Sequence, residues 1–89
     1  MIRATLFVAG RVQGVGFRYA TNEIAKKFDV KGTVENCEDG RVMIVVEAES
    51  KEIDDFVEAI QALAPGKINR MDRFESEPSH AFDNFSIRR

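Results

Sequence analysis

The sequence predicts an α+β fold of the split βαβ kind, and three observations carry that prediction. Apolar residues recur with period two in several short segments and with helical spacing in two others. A glycine-rich turn joins the first strand-like segment to the first helical one. An Asp39-Gly40 pair separates two further strand-like runs, at a spacing that suits a hairpin.

Arg3 to Ala9 alternates, with Ala4, Leu6 and Val8 on one face and Arg3, Thr5 and Phe7 on the other, so it reads as a strand with one face more firmly buried. Gly10-Arg11-Val12-Gln13-Gly14-Val15-Gly16 follows and holds three of the chain's six glycines. Phe17, Ala20, Ile24, Ala25 and Phe28 then fall at helical spacing, Lys26 and Lys27 lie on the wet side, and Asp29 and Gly32 bracket the exit. Lys31–Asn36 reads as a second strand and Arg41–Ala48 as a third, with Glu38-Asp39-Gly40 between them. Val42 to Val46 is apolar throughout, as expected of a central strand covered on one face and partly shielded on the other. Ser50 suits an N-cap, and Ile53, Phe56, Val57, Ile60, Leu63 and Ala64 form the stripe of a second helix that Pro65-Gly66 stops. A strand near Asn69–Glu75, a turn at Glu77-Pro78-Ser79 and a last strand at Phe82–Arg88 complete the reading.

This order is the ferredoxin-like plan, an antiparallel-rich sheet with two helices on one face. In it strand three lies between strands one and two, so those two run parallel and their C-terminal ends meet at one edge, about 10 Å apart. The glycine-rich loop and Asn36 are thereby placed side by side.

Eighty-nine residues supply one hydrophobic core and hence one expected domain, residues 1–89. Thirteen basic against fifteen acidic side chains leave a net charge of −2, without the basic excess of a nucleic-acid or membrane-surface binder. The single cysteine, Cys37, makes no intrachain disulfide. No apolar run approaches the roughly 20 residues of a membrane span. A cytoplasmic monomer that touches neither membrane nor nucleic acid is the expectation.

A glycine-rich turn leading from a strand into a helix aims several backbone N–H groups at one spot, where the positive end of the helix dipole adds to them. Arg18 falls in the first turn, where a cation is mildly disfavoured unless an anion sits between the two positive sources. Its guanidinium fork suits phosphate oxygens. The plainer reading is that the glycines only permit a sharp turn and Arg18 is a surface charge. General nucleotide motifs are missing: the third glycine of G-x-G-x-x-G is absent and there is no G-x-x-x-x-G-K-[ST].

The whole string Gly10-Arg11-Val12-Gln13-Gly14-Val15-Gly16-Phe17-Arg18 resembles the acylphosphatase signature G-x-V-Q-G-V-x-F-R, and Gly32, Val34, Asn36, Asp39 and Gly40 resemble the family's second block. The resemblance covers nearly the whole chain. It implies hydrolysis of the carboxyl–phosphate bond of a small acyl phosphate, with no metal and no cofactor. Backbone amides from Gln13, Gly14, Val15, Gly16, Phe17 and Arg18 would hold the phosphoryl oxygens, Arg18 would stabilise transition-state charge, and Asn36 would position the attacking water. For Gln13 a role in hydrogen-bonding the loop to itself is as good a reading as a ligand role, and Asn36 also suits a plain turn residue. The sequence departs from the family where Thr33 replaces a frequent aromatic residue, Ala48 a frequent glycine, and Arg88-Arg89 a frequent terminal aromatic. These positions concern packing or the rim of the site.

His80 and Cys37, each the lone residue of its type, make no multi-ligand zinc site. Cys37 reads as a bystander thiol and His80 as a solvated loop residue. Two other functions share the fold class. One is a non-catalytic regulatory module that binds phosphate or an acyl phosphate. The other is an RNA binder, which needs exposed aromatics on the central strands, where only Phe7 is available.

Overall fold

The computed structural model describes residues 1–88 and shows a five-stranded sheet with two helices. The elements are β1 (Ile2–Arg11), α1 (Phe17–Ala25), β2 (Lys31–Asn36), β3 (Val42–Ala48), α2 (Ser50–Leu63), β4 (Lys67–Ser76) and β5 (Phe85–Ile87). The strand order is β4-β1-β3-β2-β5, antiparallel except for the β2–β5 pair. The expected position of β3 between β1 and β2 is therefore observed.

Register explains the core. Leu6 lies opposite Ile44, and Ile44 opposite Val34. With Ala4, Val8, Val42 and Val46 these side chains form one fully buried face. Phe17, Ile24, Ala25, Ile53, Phe56 and Ile60 of the helices close over it. Phe56 is its aromatic centre, with ring centroids 6.0 Å from Phe28 and 5.5 Å from Phe85. The opposite face stays open, with Phe7 packed edge-on to Phe74 at 6.1 Å and Arg41 stacked 4.6 Å over the Phe7 ring.

Several expectations are corrected. Helix α1 stops at Ala25, and its buried face includes Thr21 rather than Ala20. Gly32 lies inside β2, whose bounds are those expected, and it serves the sheet rather than the helix exit: at φ 149° a Cβ there would run into the Val45 carbonyl oxygen, so only glycine lets β2 approach β3 this closely. Glu49, with extended backbone and no side-chain hydrogen bond to the helix end, precedes α2, and Ser50 is its first residue rather than its cap. Leu63 is 63% exposed because the chain leaves the helix there in an extended turn. The β2–β3 hairpin is not the tight two-residue form. The Gly40 N–H donates to the Cys37 carbonyl and the Cys37 N–H to the Arg41 carbonyl, and within the connecting turn only Gly40 has positive φ. That is a type I turn closed by a left-handed glycine.

The last strand is also shorter than expected. Strands β4 and β5 occupy opposite edges, so residues 77–84 must cross the open face at the end formed by Arg3, Glu47 and Lys31. Glu47, 3% exposed, ties this strap down. It accepts hydrogen bonds from the Ser79 N–H (2.8 Å), the Ser79 hydroxyl (2.8 Å), the His80 N–H (2.9 Å) and Arg3 Nε (2.8 Å). Burial alone would push its carboxyl up, but these donors outweigh that and hold its pKa at about 2.

Candidate active site

Strand β1 reaches its C-terminal end through a bulge, where pairing jumps from Ala9–Arg70 to Gly10–Ile68 and leaves Asn69 unpaired. Bulges of this kind re-aim a strand end, and here the chain passes directly into the glycine-rich loop. Val12 anchors that loop in the core at 1% exposure. Val15 turns its side chain inward beside Gly66 and packs on the core. Gly16 then starts α1 from the left-handed region, at φ 86° and ψ 14°, a conformation that most side chains avoid.

No side chain caps the helix and its first turn holds no acidic residue. The free N–H groups of that turn and the positive dipole end therefore remain uncompensated by the protein. Arg18 adds a full positive charge in the same turn, and among the described residues no carboxylate pairs with it.

These features open on a cavity of about 230 Å³ lined by Val12, Gly14, Gly16, Phe17, Arg18, Tyr19, Asn36 and Ile87. The structure thus brings Gly14, Gly16, Phe17, Arg18 and Asn36 together, as the strand order leads one to expect. Gln13 and Val15 do not line it. The Gln13 side chain bonds neither the cavity nor its own loop, the two roles the sequence leads one to expect, but the neighbouring hairpin: its Nε2 donates to the Cys37 and Arg41 carbonyls, each at 2.9 Å. One amide therefore clamps the loop after β1 to the hairpin that follows Asn36.

Two lining residues lie outside the motifs, Tyr19 and Ile87, and Val12, which belongs to the first motif, carries no site role in the sequence reading. Ile87 pairs in register with Val34, so β5 delivers it to the cavity wall. Tyr19 breaks the apolar pattern of α1 immediately after Arg18, and that was the one hint the sequence held. Thr33 and Ala48 do not line the cavity. Thr33 lies opposite Val45 and Ala48 opposite Ile2, at the far end of β3. Arg88 is exposed, and Arg89 lies outside the described residues.

Cys37 follows Asn36, but burial and the nearby Asp39 push its thiol pKa up, which keeps it protonated and weakly nucleophilic. Asp39 is occupied in the hairpin, where its carboxylate accepts from the Arg41 N–H (3.1 Å) and Arg41 Nε (2.8 Å). Among the described residues no three His, Cys, Asp or Glu side chains converge as a metal-binding group, and no helix is long and apolar enough to cross a membrane.

The model of the family described as Acylphosphatase matches residues 4–87. The chain belongs to the acylphosphatase family. It is 39% identical over 87 residues to an acylphosphatase of Paenarthrobacter aurescens, covering 97% of this chain and 93% of that one. The crystal structure of the acylphosphatase from Bacillus subtilis superposes with a TM-score of 0.93 at 38% identity, covering 100% of both chains. The same fold occurs within a larger protein: a T. kodakarensis HypF structure matches with a TM-score of 0.87 at 31% identity, covering 100% of this chain and 12% of that one. Membership in the acylphosphatase family sets the reaction as hydrolysis of an acyl phosphate, a small molecule, to carboxylate and inorganic phosphate.

Proposed function

We propose that the phosphoryl group binds in the cradle of the Gly10–Arg18 loop and that Asn36 positions the water that attacks it. The observation that carries this reading is the convergence of Arg18 and Asn36 on one cavity floored by Gly14 and Gly16. Backbone amides from Gln13 to Arg18 hold the phosphoryl oxygens, with the α1 dipole behind them. The Arg18 guanidinium binds the same oxygens and stabilises the charge that grows on them. The Asn36 amide orients a water in line with the scissile bond.

The water oxygen bonds to phosphorus as the bond between phosphorus and the carboxylate oxygen breaks. The bonding pair leaves with the carboxylate, and the water's proton ends on the phosphate product or in solvent. A carboxylate leaves without protonation at neutral pH, so positioning and charge stabilisation suffice and no strong general acid is required.

Gln13 acts here as a positioning residue. Its side chain fixes the hairpin, and hence Asn36, against the loop that holds the phosphate.

In this reading the protein works as a cytoplasmic monomer without a nucleic-acid partner. The open sheet face supports the last point, because Glu35 and Asp72 flank Met43 and Phe7 in the row that an RNA would stack on. A phosphate-binding module without turnover is the rival reading to exclude.

Benzoyl phosphate hydrolysis in EDTA, with Arg18→Ala alongside, decides between the two. Turnover that Arg18→Ala abolishes is expected. Saturable phosphate binding without turnover would establish the module instead.

A further inference from the structure

Among the described residues four large apolar side chains stand strongly exposed, Met1, Tyr19, Leu63 and Phe74, and of these only Tyr19 lines the cavity. Its 65% exposure contrasts with Val12 and Phe17 at 1% each, which are core residues that happen to form cavity wall. Tyr19 has no place in the core cluster and stacks on no other ring. Packing therefore does not account for it.

The cavity is divided in character. Gly14, Gly16, Arg18 and Asn36 present amides and charge, whereas Tyr19 and Ile87 present apolar surface. An acyl phosphate is divided in the same way, with a charged phosphoryl group joined to an acyl group. At about 230 Å³ the cavity falls below the roughly 300 Å³ at which small-molecule pockets begin. It encloses the phosphoryl group and the start of the acyl group, and the rest must lie over the rim. Tyr19 directly follows Arg18, so the two side chains leave the helix about 100° apart and the ring flanks the anion site without blocking it.

We propose that Tyr19, with Ile87 beside it, is the acyl-recognition wall, and that it biases the enzyme toward acyl phosphates with aromatic or bulky acyl groups over short ones. This inference rests on the phosphate-site reading above.

Its test is the kcat and KM of Tyr19→Ala and Tyr19→Phe on benzoyl phosphate and acetyl phosphate, with competitive inhibition by inorganic phosphate measured in parallel. Loss of one ring–ring contact predicts a fall of about 3- to 10-fold in kcat/KM for benzoyl phosphate in Tyr19→Ala, carried by KM. Acetyl phosphate kinetics and phosphate inhibition should change less than about two-fold, and Tyr19→Phe should retain the preference because the ring is the contact. Equal loss on both substrates, or unchanged benzoyl phosphate kinetics, would overturn the assignment. Failure of the underlying site is distinguishable, because it would show as Arg18→Ala retaining turnover whatever Tyr19 does.

Discussion

Glu47 should make the stability of this fold depend on pH across the acid range. Its folded pKa of about 2 lies below the ordinary value of 4.5. The unfolded chain therefore takes up this proton first as pH falls. The contribution is complete above about pH 4.5 and drains away as pH descends toward 2. At 1.36 kcal/mol per pH unit the full difference is about 3 kcal/mol, and solvent just behind the thin strap trims it to about 2–3 kcal/mol. Glu47→Gln removes the titration while keeping the shape.

Urea unfolding followed by far-ultraviolet circular dichroism at pH 7, 4.5, 3.5 and 2.5 gives the stability difference between the two proteins. That difference cancels the other carboxylates. It should shrink by about 1.5–2 kcal/mol between pH 5 and pH 2.5, since part of the contribution survives until the pH falls below the folded pKa. A difference constant across that window would refute the reasoning. Turnover at pH 7 should be unaffected within two-fold, because Glu47 sits five residues along β3 from Val42, the partner of Asn36, about 17 Å away.

Asn36→Ala should lower kcat by about 10²-fold while leaving inhibition by inorganic phosphate nearly intact, since it removes orientation rather than binding; equal loss of both would contradict a water-positioning role. Gln13→Glu sets a carboxylate against two carbonyl oxygens, so thermal unfolding should reveal a loss of about 1–3 kcal/mol, with kcat falling as Asn36 loosens. An unchanged melting temperature would show that the clamp is dispensable. Gly32→Ala should cost at least about 3 kcal/mol, because neither backbone in the β2–β3 pair has room to yield; denaturant titration of that variant tests it.

Much of this was legible in the sequence. Alternation in Arg3–Ala9 marked the buried row of Ala4, Leu6 and Val8, because a strand with one wet face leaves that imprint. The strand order then placed Asn36 beside the glycine-rich loop without any knowledge of side-chain positions. What escaped was local polarity and long-range hydrogen bonding. Thr21 is fully buried on the core face of α1, yet its type marks it as a surface residue. Leu63 fits the helical stripe, but one residue further on the backbone departs and leaves it in water. Glu47 reads as an ordinary charged residue at a strand end, because its partners Ser79 and His80 lie more than thirty residues away and bind it mainly through backbone and hydroxyl groups. The Gln13 clamp is hidden for the same reason, since its acceptors are carbonyls, which every residue carries.

The two rims of the sheet are unequal, and this bears on which of them could template another strand. Strand β5 exposes only three residues at one rim, too few to template another strand. Strand β4 exposes ten at the other, a length at which unpaired backbone groups invite edge-to-edge association. Its protection is electrostatic and geometric: Lys67, Arg70, Asp72, Arg73 and Glu75 crowd the strand with charge, and the bulge at Asn69 breaks the regular row of donors and acceptors. The same bulge that steers β1 into the glycine-rich loop thus also spoils the longest rim as a seed for aggregation.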